Sequence, residues 1–192
     1  SRAIGFASSI EGLDARAFDR IEFVEEPLVQ LSEDDFPGQV EALERFYRRT
    51  GLVYALDESL ADLAADCQYD FVPIRDILRA TFETSRGCAA FVLKPTLLGF
   101  ELSMQLATLA RTELAIGAVF SSCFDSGVGL AYTSFLAGIS DSLDSKATLY
   151  AHGLGTFEML SHDTLNPPFS SHVDQQGLLN VASLSRSMYG LS

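Results

Sequence analysis

The chain has 192 residues, 47% of them hydrophobic, which suits one domain with a substantial core. Its formal net charge of −13 argues against a basic face for nucleic acid or an anionic membrane. No apolar stretch reaches the ~18 residues a membrane span needs. The three cysteines, Cys67, Cys88 and Cys123, show no CxxC spacing and read as free thiols of a reducing compartment.

In chain order, Leu13 to Arg20 reads as a short helix feeding a strand at Ile21–Glu25. Ser32-Glu33-Asp34-Asp35 is an acidic, cap-forming entry to a helix running to about Arg49. Its apolar stripe is Val40, Leu43 and Phe46-Tyr47, with Glu41/Arg45 and Glu44/Arg48 as i,i+4 pairs on the wet side. Gly51 should end it, and a strand is expected at Val53–Leu56. A less regular stretch through Asp62, Asp66 and Asp70 then leads to a helix around Ile74–Thr84.

Ala89–Leu93 reads as a strand, Glu101–Thr112 as a helix, Ala118–Ser121 as a strand and Val128–Ile139 as an apolar helix. Thr148–Tyr150 is expected to be a fifth strand, closed by the glycine-bracketed turn His152-Gly153-Leu154-Gly155-Thr156. The tail from Asn166 carries Pro167-Pro168 and a last amphipathic stretch near Leu178–Met188.

Five strands, each followed by a helix or helix-like segment, make an α/β chain. A complete (β/α)8 barrel takes roughly 250 residues. The expectation is a partial TIM barrel, about the last five β/α units, over residues 1–165, with 166–192 as a tail packing on it. An open doubly wound sheet is the structural rival. It would gather its site at one switch point, whereas here charges end at least three consecutive strands.

Those charges carry the candidate chemistry. Apolar runs stop at Glu25-Glu26-Pro27, Asp57-Glu58-Ser59 and Lys94-Pro95. A charge at the end of a parallel strand points into a barrel mouth. Lys94 is one of only two lysines, with Lys146, so lysine is no routine solubilising residue here. A partly buried lysine needs a negative partner or loses its proton. Glu25 and Asp57 at matching positions suit Mg²⁺, a hard cation that takes one or two carboxylates and leaves room for substrate oxygens. Taken singly, an acid after a strand is a loop residue or a helix cap, and Glu26 and Glu58 fit that plainer reading.

The ordered series EEP, ALDES, VLKPTLLG, SSCFDSGVGL and AHGLGT resembles the enolase superfamily in its muconate-lactonizing subgroup. Within that it is most similar to o-succinylbenzoate synthases, and among them to the synthase module of the fused phylloquinone-biosynthesis proteins of plants and algae. The likeness runs from about Ile21 to Asp163. It implies a Mg²⁺-dependent hydro-lyase that dehydrates a cyclohexadiene dicarboxylate in phylloquinone or menaquinone biosynthesis. Glu25 and Asp57 would be metal ligands, and Lys94 the catalytic lysine facing the enolate. Ser121, Ser122, Gly127, Gly153 and Gly155 would line the substrate pocket.

The expected partner is thus a small dicarboxylate, without nucleic acid or membrane, and the expected place a plastid, or the cytoplasm for a bacterial relative. Asp125 stands where the family usually has Glu, and His152 reads as a turn residue. The family's K-x-K base motif, third metal acid and capping domain have no counterpart in the chain. Ser1, not Met, opens it and reads as an internal cut. The expectation is therefore a C-terminal portion, inactive alone, whose N-terminal barrel half, capping domain and further fused modules lie elsewhere. An N-acylamino acid racemase or dipeptide epimerase of the same superfamily is the near alternative. A non-catalytic remnant or interaction domain is the distant one.

Overall fold

The structure, a computed structural model, describes residues 20–28 and 36–189. The acidic cap at Ser32–Asp35 and all but Arg20 of the helix expected at Leu13–Arg20 lie outside them. Four strands form one parallel sheet in sequential order: β1 (Val24–Glu25), β2 (Tyr54–Leu56), β3 (Cys88–Leu93) and β4 (Gly117–Phe120). Among the described residues, seven α-helices lie between and after them: α1 (Phe36–Thr50), α2 (Glu58–Asp66), α3 (Phe71–Phe82), α4 (Pro95–Leu98), α5 (Phe100–Leu109), α6 (Gly127–Asp141) and α7 (Val181–Tyr189). The chain is α/β, an arrangement consistent with part of a β/α barrel.

Side-chain alternation along the strands divides the sheet into two faces. Tyr54, Leu56, Phe91, Leu93, Ala118 and Phe120 join the helices in the main core. Ala55, Ala90, Val92 and Val119 form a separate cluster on the other face, closed by Phe23 and Tyr150 in an edge-on pair at 5.2 Å. This second face is built from small residues. At Gly117 it accepts the Tyr150 ring so closely that a Cβ would sit 2.7 Å from it.

One irregularity interrupts the ladder. Tyr54 pairs with Cys88 but Ala55 with Ala90, so Ala89 is an extra residue on β3.

Helix α1 buries Val40, Leu43 and Phe46, and ends at Gly51, whose φ of 74° suits glycine and whose N–H donates to Tyr47 O at 2.8 Å. The Glu41–Arg45 pair forms at 2.7 Å. The Glu44/Arg48 pairing is different: Arg48 Nε donates to the Glu44 carbonyl at 3.3 Å. Glu44 Oε1 instead accepts from the Tyr54 hydroxyl and from the Arg86 and Gly87 amides, at 2.8–3.0 Å. Three fixed donors at the foot of β3 outcompete one mobile guanidinium.

Two other expectations need correction. The stretch expected to be irregular is helix α2, because Leu60, Leu63 and Ala64 repeat at i, i+3, i+4 and bury, while Asp62 and Asp66 face water. Asp70 caps the next helix, accepting from Val72 N at 3.0 Å. Thr148–Tyr150 is not a strand. Tyr150 turns its ring onto Gly117, and pairing with β4 is confined to Gly153: its N–H reaches Phe120 O and its carbonyl accepts from Ser122 N, both at 2.9 Å.

The tail folds onto α6, burying Leu165, Phe169 and Leu184 against Leu130 and Ala131. Asp163 pins this packing. Its carboxylate accepts from Gly127 N at 2.8 Å, Leu165 N at 3.1 Å and Phe169 N at 2.7 Å. Burial would raise its pKa, but the amides of Phe169, Leu165, Gly127 and Thr164 outweigh it and hold the carboxyl below the ordinary 3.8. The stability this adds is complete above pH 3.8 and is lost as pH falls through the lowered folded value. Asp163→Asn should therefore abolish an acid-side loosening of the tail, read by tyrosine fluorescence against pH; an unchanged acid profile would refute the assignment.

Candidate functional site

The face that carries Phe23, Ala55, Ala90, Val92 and Val119 continues, by the two-residue period, to Glu25, Asp57, Lys94 and Ser121 at the C-terminal strand ends. These four residues come from four successive strands. The structure gathers three of their side chains into one charged group. Lys94 Nζ donates to Asp57 Oδ2, and Glu25 stands close enough to both for their charges to act on its carboxyl. Asp57 is 4% exposed.

Burial first, and then the Asp57 contact and its charge, push Glu25 from 4.5 to about 7, although Lys94 pulls the other way. Burial on its own would lower Lys94. The Asp57 hydrogen bond and the charges of Asp57, Glu58 and Glu25 win, and the ammonium is held above its ordinary value. The group therefore sets a fixed cation beside a carboxyl, Glu25, that is held well above the ordinary carboxylate range.

That donor set fits a divalent ion. Two adjacent carboxylates supply hard oxygens, and a cation would offset the Asp57 charge that helps raise Glu25. Among the described residues no cluster of three or more His, Cys, Asp or Glu side chains could hold a metal.

The serine and glycine candidates separate. Ser121 lies on the charged face, opposite Gly153, where a Cβ would come within 2.8 Å of its hydroxyl oxygen. Ser122 is buried and points away; its hydroxyl donates to Gly153 O at 3.0 Å and meets Thr156 Oγ1 at 2.7 Å. Gly153 uses both backbone groups in the β4 pairing. Gly155 opens a 3₁₀ turn (Gly155–Met159) with open space where a side chain would be. Gly127 N–H is held by Asp163.

His152 is a structural hinge of this loop. Its Nδ1 accepts from Phe120 N at 3.0 Å, which places the proton on Nε2, facing Asp141 Oδ2 at 3.2 Å. Asp125, 8% exposed, joins neighbouring loops by accepting from Thr96 Oγ1 at 2.5 Å and Cys123 N at 3.2 Å. Thr96 is two residues beyond Lys94, so this link steadies the turn that presents the lysine. Glu26, the second acid of EEP, reaches the β2–α2 turn through three hydrogen bonds. Its partners lie 31 and 33 positions away, which is why the sequence offers no more than a generic cap there.

A parallel α/β sheet with two carboxyls and a lysine converging at its C-terminal edge defines a class of site suited to holding anionic substrates beside a metal. No family model matches the chain. Among characterised proteins it is 32% identical over 155 residues to Protein PHYLLO, chloroplastic, of Arabidopsis thaliana, covering 76% of this chain and 8% of that protein. It is 35% identical over 118 residues to the o-succinylbenzoate synthase of Salmonella paratyphi C (strain RKS4594), covering 62% of this chain and 29% of that enzyme. The o-succinylbenzoate synthase of Salmonella newport (strain SL254) is 34% identical over the same length.

The chain is thus a homologue of o-succinylbenzoate synthases, consistent with an enolase-superfamily segment of that type. It spans less than a third of the length of these relatives.

Proposed function

We propose that the chain is the metal- and lysine-bearing part of a (β/α)8 barrel that catalyses an o-succinylbenzoate-synthase-type dehydration of a cyclohexadiene dicarboxylate, within phylloquinone or menaquinone biosynthesis. The observation that carries this reading is the convergence of Glu25, Asp57 and Lys94 on one face of the sheet, with Lys94 bonded to Asp57. The similarity to PHYLLO supports a plastid location and a larger fused protein.

Removing a proton α to a carboxylate leaves a second negative charge on the substrate. Mg²⁺ bound by Glu25 and Asp57 would supply electrostatic stabilisation of that charge. Lys94, kept cationic by its acidic neighbours, places a fixed positive charge at the same rim and needs no reorganisation as the charge develops. Ser121 offers a hydroxyl on the same face for a substrate carboxylate. Ser122 and Gly153 shape that strand end through backbone pairing, and Gly155 leaves room beside it.

The proton acceptor has to come from elsewhere. Lys146, the other lysine, is exposed in the loop after α6. The 192 residues alone should therefore show no turnover. The full-length protein, given the cyclohexadiene dicarboxylate and Mg²⁺, should form o-succinylbenzoate, followed by the rise of aromatic absorbance. Racemisation of N-acylamino acids with no dehydration would overturn the reading, as would dehydration undiminished by a chelator.

A further inference from the structure

Glu26 combines two features that no surface loop residue needs. Its φ of 39° lies in the left-handed region, unfavourable for a residue with a side chain. Its carboxylate is also spent entirely across the sheet. Oε1 accepts from Asp57 N at 3.0 Å and Ser59 N at 3.1 Å, and Oε2 from Ser59 Oγ at 3.1 Å. Asp57 is the N-cap residue of α2, yet its own side chain makes no capping hydrogen bond. Asp57 Oδ2 goes to Lys94 instead.

We infer that Glu26 is a positioning residue, which caps α2 from the neighbouring strand so that the Asp57 side chain is released from capping and turned toward Glu25 and Lys94. An N-cap aspartate ordinarily folds back onto the amides two or three residues ahead. Glu26 takes two amides of that turn, including the Asp57 N–H itself. The strained backbone at Glu26 swings its side chain sideways to β2, while Glu25, one residue earlier, faces the site. One dipeptide thus supplies a site carboxyl and the clamp that aims the next one.

The inference rests on the proposed metal site, and its test separates the two. In the full-length protein, Mg²⁺ binding is measured by calorimetry, and exchange of the Asp57 and Ser59 amides by hydrogen-exchange mass spectrometry. Glu26→Gln keeps an oxygen for both amides, and its Mg²⁺ affinity should stay within about threefold of the parent. Glu26→Gly relaxes the left-handed φ while removing the clamp. It should weaken Mg²⁺ binding by about 10-fold or more, the range for groups that orient a ligand, and speed exchange at both amides.

Parental Mg²⁺ affinity in Glu26→Gly, or unchanged exchange at Asp57 and Ser59, would overturn the inference. A parent protein that binds no Mg²⁺ would instead sink the proposed function, while faster exchange in Glu26→Gly would still show the clamp.

Discussion

Replacing Lys94 with Ala in the full-length protein should lower turnover by about 10²–10³-fold or more, the loss that follows removal of one preorganised charge-stabilising group. That corresponds to roughly 3–4 kcal/mol of transition-state stabilisation. Far-UV circular dichroism should be unchanged, since Lys94 sits at a strand end and contributes nothing to the apolar core. Lys94→Arg keeps the charge but replaces a compact ammonium with a planar fork. It should recover only part of the activity. Normal activity in Lys94→Ala would remove the lysine from the mechanism.

The second large effect belongs to the core. Phe91 is fully buried at the centre of β3, and its ring meets Phe82 of α3 at 5.5 Å. Phe91→Ala should destabilise the protein by about 3–5 kcal/mol, the transfer loss plus the cavity that remains. For a domain whose whole stability is about 5–15 kcal/mol, that approaches unfolding. Urea denaturation would measure it; a shift below ~1 kcal/mol would mean that the helices collapse onto the sheet without it. Phe91→Leu refills most of the space and should recover a good part of the loss.

Much of the scaffold can be read from the chain because strand ends are marked locally. Tyr54–Leu56, Cys88–Leu93 and Gly117–Phe120 each fall within a residue or so of their apolar runs. The residues Glu25, Asp57 and Lys94 are visible for the same reason: a charge stops the run, and the period of two then fixes its face. Helix α2 escapes because Asp62, Asp66 and Asp70 dominate the eye, although Leu60, Leu63 and Ala64 hold a helical stripe. The fifth strand is over-read, since Tyr150 is apolar for a reason other than strand pairing: it covers Gly117.

What stays hidden in the sequence is long-range. Glu26 reaching Asp57 and Ser59, Asp125 reaching Thr96, and Asp163 reaching Gly127 span 29 to 36 positions. No local pattern encodes such partners. Period two does hold one unused signal: counting from Val119 would have separated Ser121, on the charged face, from Ser122, turned the other way.

The extra residue at Ala89 sets how this chain tolerates insertions and deletions. Below it, β3 is already out of step with β2, so losing one residue there would merely restore an even ladder and leave the upper rungs unmoved. Between Ala90 and Lys94 no such slack exists. A single-residue deletion there would rotate the ammonium to the helix side and bury it among leucines and phenylalanines, so length changes should be survivable at the foot of the strand and ruinous at its head.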